Sequence, residues 1–534
     1  MSHQNKYLKL TISLSFLTIA SFSNYSLANY LNPQIAQAQT TETKKTDQKP
    51  EATSSDADRL FQEAEKLIGD NNQFVNAFIK YKEALKIYRH IGDTANENKT
   101  RQKLESVLAT SLFLAQQQEE IIHQDEAKFL NQFPKSNNNQ TANKLQELAA
   151  AKLGFALFGG TKSFHFPVSK TALKEFKDIE KELQDYLDNQ TKISTNKVEK
   201  IPQKLRQYLE RNAETLKSIR TLILTNEPLH WATDISWIVQ GDLTYSLPSY
   251  ISFEYLQKVL ALDILNKQEQ GNTKEMLESL ETSWKINESL RNSPLLIGQV
   301  LHIITTRIQL GTIRQLNNLP SQWQKRLVTY DHRQSILQSL IGNAIEFRAV
   351  FKVFSEIKEY SDFKKSIRAV IGDIDKEDDL LTLGISEWSN SMRQNFIRWQ
   401  AIVNYQNSIK VYSFLVKEDV CSFQFDSFWS KIKPTDKNLE SNYISQWLKA
   451  GRLMLELELT QKILQAKENL ANLGSFKQIS SVKSTVCPNN QWVYQVSPDN
   501  NSISISLNPI PKWISDVKVL PLTYTIVGKN RTQN

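Results

Sequence analysis

A chain of 534 residues that holds only fifteen glycines and fifteen prolines has few places to stop a helix. Each makes up under 3% (15/534), against average usage of roughly 7% for Gly and 5% for Pro. Helix is therefore the default over most of the length, and a hydrophobic share of 40% suffices to bury sizeable cores. The expected fold class is all-α, with helical hairpins stacked as a degenerate repeat or bundle.

The N-terminus reads differently. Lys6 and Lys9 form a short positive region, Leu10 to Phe22 is an uncharged apolar run, and small residues follow at Ser26 to Ala28 and at Ala36 to Ala38. That order predicts a cleavable signal peptide over residues 1–38, with Ala28 and Ala38 as the competing cleavage points. An apolar run of 13 residues, Leu10 to Phe22, falls short of the roughly 20 needed to span hydrocarbon, so an uncleaved anchor is the lesser alternative. No Cys lies near the cleavage points, which argues against a lipid-anchored form. Residues 39–56 carry no large apolar side chain and read as a flexible polar leader. The implied location is periplasmic or extracellular.

Charge narrows the partners. The formal net charge of +8 falls to about +6 without Lys6 and Lys9, a weak field over so long a chain. The densest basic stretch, Lys192 to Arg211, is interrupted by Glu199 and Glu210 and reads as a solvated helix face. Nucleic acid is not expected as a partner, nor a transmembrane helix after signal cleavage; a protein partner is.

From Ala57 the apolar residues take a helical period. Leu60, Ala64 and Leu67 share one face; Asp70, Asn71 and Asn72 supply a turn; Ala77, Tyr81, Ala84, Leu85 and Tyr88 share the next face. The stretch AFIKYKEALKIYRHIGD, Ala77 to Asp93, with Ala64 before it, resembles a tetratricopeptide repeat across residues 57–92. The resemblance implies close crossing of two helices at Ala64, Ala77 and Ala84, with Tyr81 wedged between them. Ala64 stands where that family has Gly, and no Pro closes the unit. One repeat cannot cover its own face, so the segment after Asn98 should continue it through Leu104, Val107, Leu108, Leu112 and Leu114. This gives a first unit over 57–131, a loop over 133–144 and a large helical domain over 145–470.

Within that domain the clearest pattern runs from Phe253 to Leu316. It predicts two helices joined at Gly271-Asn272, then a third with Ile297, Val300, Leu301, Ile304 and Ile308 as its inner stripe. Trp388, Trp399, Trp429 and Trp447 read as core anchors. The C-terminus turns to period two in WVYQV (492–496), SISISL (502–507) and LTYTIVG (522–528), a small β unit over 483–528.

Chemistry leaves little trace. GFALFGGTK (154–162) has Gly160 where a phosphate loop needs Lys. Asp373, Asp375 and Glu377 open like a calcium loop, but Asp378 replaces its turn Gly and Gly384 its bidentate Glu. The seven His residues lack metal-ligand spacing, and His302 reads as a core-facing or bridging residue. Glu254, Glu346 and Asp373 are the acids a catalytic carboxylate pair could draw on. No catalytic residue, metal or cofactor is assigned. Cys421 and Cys487, the only cysteines, are expected to bridge in an oxidising compartment and staple the β unit to the helices. The functional expectation is an exported binding or scaffold protein; the alternative is an envelope hydrolase with a carboxylate or His pocket inside 145–470.

Overall fold

The computed structural model describes residues 53–69, 74–159, 166–196, 199–232, 234–241, 247–317, 319–359, 361–363, 390–432, 437–473, 476, 479–514 and 520–528. The expected signal peptide, nearly all of the expected leader, the calcium-like run, Trp388 and the side chain of Trp429 lie outside them. The chain is mainly helical, with a small C-terminal sheet.

The first helix, α1 (Ser54–Gly69), starts three residues earlier than its apolar pattern. Thr53 and Asp56 explain this: the Asp56 carboxylate accepts from the Thr53 amide at 3.0 Å, and the Thr53 hydroxyl accepts from the Asp56 amide at 3.3 Å. That is a reciprocal capping box, which satisfies amides the helix itself cannot. α2 (Phe74–His90) packs back on α1. Ala64, Ala77, Tyr81 and Ala84 are all fully buried at the crossing, and the Tyr81 ring meets Phe61 edge-on at 5.2 Å while its hydroxyl donates to Glu65.

α3 (Thr94–Gln116), capped by Asp93, and α4 (Glu119–Gln132) follow. Leu104, Val107, Leu108 and Leu112 are buried as expected, but Leu114 faces outward. The expected loop shortens to residues 133–139, because Asn139 caps α5 (Gln140–Leu148), accepting from the Ala142 amide at 2.9 Å. An Asn-rich stretch reads as loop until one of its members is recognised as a cap.

The helical body continues through a π-turn at Ala149–Leu153, α6 (Lys170–Thr191), α7 (Gln203–Arg211), α8 (Ala213–Thr225) and α9 (Ser236–Val239). β1 (Phe158–Gly159) and β2 (Leu247–Pro248) pair antiparallel, too short to leave a sequence signal. Then come α10 (Tyr250–Glu269), α11 (Thr273–Glu288), α12 (Leu296–Gln315), α13 (Gln322–Arg326) and α14 (His332–Ser355). The α10–α11 turn lies where expected: Gly271 takes φ +72°, which its missing Cβ allows, and the Asn272 side chain caps α11.

Apolar packing crosses the 133–139 loop. One buried cluster joins Ala77, Phe78 and Phe129 to Ala344, Ile345 and Val350 of α14 and to Phe396, Trp399 and Ile402 of α15 (Asn390–Leu415). Phe78 lies 5.4 Å from the Phe396 ring and 5.0 Å from Trp399. Gly342 leaves no room for a Cβ, which would sit 2.6 Å from Phe129 Cζ. The first hairpin thus completes its core with residues some 300 positions away, a pairing that helical period cannot reveal.

α16 (Phe425–Ile432) precedes the longest helix, α17 (Lys437–Leu473), which has two apolar faces. Leu453, Leu457 and Leu464 join the main body core with Trp447. Leu455, Leu459, Ile463 and Ala466 meet the sheet. That sheet runs β3 (Val482–Lys483), β4 (Gln491–Val496), β5 (Ser502–Asn508) and β6 (Thr523–Val527), all antiparallel neighbours in chain order. Ile503, Ile505 and Leu507 alternate inward on β5, as period two requires. Cys421 and Cys487 stand at disulfide distance, their Cα atoms 5.5 Å apart.

Candidate functional site

A buried polar cluster lies where α10, α11 and α12 meet. Ser279, Ser283 and Asn287 repeat at helical spacing along α11; Ser279 donates to Asp263 of α10, and Ser283 and Asn287 bond to Thr305, Thr306 and Gln309 of α12. Asn287 is the hub. Its amide nitrogen donates to Thr306 Oγ1 at 2.7 Å and Gln309 Oε1 at 2.9 Å, and its carbonyl oxygen accepts from the Thr305 hydroxyl. Gln309 donates onward to the Ser283 hydroxyl, which donates to Gln257 on α10.

His302 joins this network from one end. Its Nδ1 is 3.1 Å from the Asn287 backbone oxygen and 3.0 Å from the side-chain oxygen, both acceptors, which assigns the proton to Nδ1. Nε2 then carries a lone pair, and it has no partner. His332, first residue of α14, stacks on it with ring centroids 5.2 Å apart, and its own Nδ1 is unpartnered. Tyr330 closes the group edge-on to His332, with Arg291 over its ring at 4.2 Å. Burial holds His302 down to about 4, with Arg291 adding to the effect; burial, His302 and Arg291 hold His332 well below its ordinary value.

Truncating the hub is expected to weaken the fold. Asn287→Ala takes the amide donor from Thr306 Oγ1 and Gln309 Oε1 and leaves the His302 Nδ1–H only the backbone oxygen of residue 287, a loss of about 2 to 3 kcal/mol read as a lower urea midpoint at unchanged slope. An unchanged midpoint would mean that the network contributes nothing.

A second buried polar group ties α12 to α17. Glu456 is fully buried and takes one arginine on each oxygen: Arg307 Nε at 2.7 Å and Arg452 Nε at 3.1 Å. Arg314, also fully buried, donates to Thr460 Oγ1 and to the backbone oxygens of Glu456 and Pro521. Burial lowers it to about 10, so it stays charged at neutral pH. On the opposite face of α17, Glu458 accepts from Ser484 Oγ at 2.6 Å and the Thr485 amide at 2.7 Å, beside Cys487.

No protein-family model, no curated protein and no solved structure matches the chain. Its chemistry therefore rests on the residues alone. Glu254 is held by Lys258 one turn along α10, at 2.5 Å, and Glu346 is buried on α14; Asp373 lies outside the described residues. Among the described residues no group of three His, Cys, Asp or Glu is placed to hold a metal ion. None of their helices is long and apolar enough to cross a membrane. His302 does face the core and bridges two helices. His332 was missed because a lone His after Asp331 reads as an ordinary helix start.

Proposed function

We propose that the chain is an exported helical binding or scaffold protein of the cell envelope, with a protein as its partner. The hairpin α1–α2 is read as a tetratricopeptide-type unit at one end of a degenerate array. The observation that carries the binding reading is an exposed apolar group on the helices behind that hairpin. Phe113 is 62% exposed, Leu114 38% and Ile121 53%, three exposed apolar side chains within nine residues around the α3–α4 join. Apolar side chains grouped on a surface mark contact sites more often than isolated ones do. Gln257, Ser283, Asn287 and Gln309, by contrast, bond one another or their neighbours across α10, α11 and α12. The alternative, an envelope hydrolase with a carboxylate or His pocket inside 145–470, would find in His302 an imidazole that burial holds down to about 4, a weak base at neutral pH.

Two measurements test the reading. N-terminal sequencing of the native protein is expected to begin near Asn29 or Gln39; an intact Met1 on a cytosolic protein would sink export. Crosslinking in the native envelope, followed by pull-down, is expected to recover a protein partner with the wild type and to lose it with Phe113→Ser/Ile121→Ser. Equal recovery by both would remove this surface from the interface.

A further inference from the structure

We propose that the stacked pair His302–His332 is an acid-sensitive latch: a proton taken up by either imidazole parts the start of α14 from α11 and α12. This goes beyond the binding reading and does not depend on it. The geometry has three parts. Both rings are buried and adjacent, and one nitrogen of each, Nε2 on His302 and Nδ1 on His332, has no hydrogen-bond partner. A buried cation without an acceptor is costly, and a second imidazole at 5.2 Å shares the cost rather than relieving it. Finally, His332 opens α14, where the helix dipole already presents positive charge.

The surrounding charges work in the same direction. Arg291, between α11 and α12, bears on both imidazoles with a positive charge. The carboxylates on neighbouring elements are engaged elsewhere: Glu288 of α11 by Arg291, Asp331 before α14 by Arg333, and Asp263 of α10 by Arg220. Glu254 of α10 is held by Lys258, and Glu456 of α17 by Arg307 and Arg452. The sign follows. A free imidazole titrates near 6.5, and the fold holds His302 down to about 4 and His332 well below its usual value. The fold's preference for neutral rings is therefore intact above pH 6.5 and is lost as pH falls from 6.5 toward 4.

The test compares the full chain with His302→Gln/His332→Phe, which keeps a donor toward Asn287 and a ring in the stack. Urea unfolding from pH 7.5 to 4.5 is expected to show the wild type losing folded over unfolded by up to about tenfold more per pH unit for each imidazole. If the double variant does not fold, His332→Phe alone, which breaks no hydrogen bond given above, is expected to remove part of the slope. In the wild type, amides of residues 286–293 and 327–336 are expected to lose exchange protection between pH 6.5 and 5, after correction for intrinsic rates, before the sheet does. Equal pH slopes in wild type and variant, or unchanged protection at those two segments, overturn the proposal.

Discussion

Glu456→Ala is expected to cost about 3 to 5 kcal/mol, among the largest effects of any single substitution in this chain. The carboxylate is fully buried and stands between Arg307 of α12 and Arg452 of α17, one arginine per oxygen. Removing it takes the carboxylate from two mostly buried guanidinium groups; Arg307 keeps the Lys449 backbone oxygen, and Arg452 keeps the Leu520 backbone oxygen among its other contacts. It also removes the negative charge nearest Arg314, which has only neutral acceptors of its own. Replacing Arg307, Arg452 and Glu456 together by apolar residues of similar size is expected to recover much of the loss, because the three buried charges then leave together. The comparison separates the cost of an unpaired charge from the worth of the triad. Urea midpoints of the two variants decide it: equal losses would show that packing, not charge, dominates at this junction.

Much of the fold was legible because helical and strand periods differ. The hairpin at 54–90, the Gly271-Asn272 turn and the three long C-terminal strands all follow from local pattern. Partnership between helices was not. Phe78 reads as an apolar residue of one hairpin, yet it packs on Phe396 and Trp399 of α15, and nothing in its local spacing points there. The same limit explains Leu114: a residue on a continuous apolar run looks buried until the fold shows what covers each side.

The polar cluster shows the opposite limit. The expected inner stripe of α12 was Ile297, Val300, Leu301, Ile304 and Ile308; of these Leu301 is buried, and the other four are only partly so. The deeper stripe holds His302, Thr305, Gln309 and Thr312, residues a hydropathy pattern assigns to solvent. His302, Thr305 and Gln309 lie inside because α11 brings Ser283 and Asn287 opposite them, so that hydrogen bonds compensate the lost hydration, and Thr312 bonds back to the Ile308 backbone oxygen. A signal existed in the runs of small polar residues at three- and four-residue spacing on both helices. It becomes readable only when the two helices are known to face each other.

Loss of the Cys421–Cys487 link is the second large effect expected. The cysteines are 66 positions apart in sequence. On the chain-entropy model, closing a loop of that size stabilises by roughly 4 kcal/mol, because the unlinked unfolded chain has more conformations to lose. The link also has a definite mechanical place. Cys421 follows Val420, whose carbonyl accepts from Trp513 Nε1 at 2.5 Å, and Cys487 follows the Ser484–Thr485 segment held by Glu458. The sheet is therefore fastened to α17 by Glu458 and by its apolar face, and to the α15–α16 connection by the cysteines. Cys421→Ser/Cys487→Ala should lower the urea midpoint of the full chain. The sheet amides should then exchange faster than those of α10–α12, because the sheet alone loses an attachment. Thiol labelling of the unfolded, unreduced native protein checks the premise: no reactive thiol is the expected count, and two per chain would refute the link.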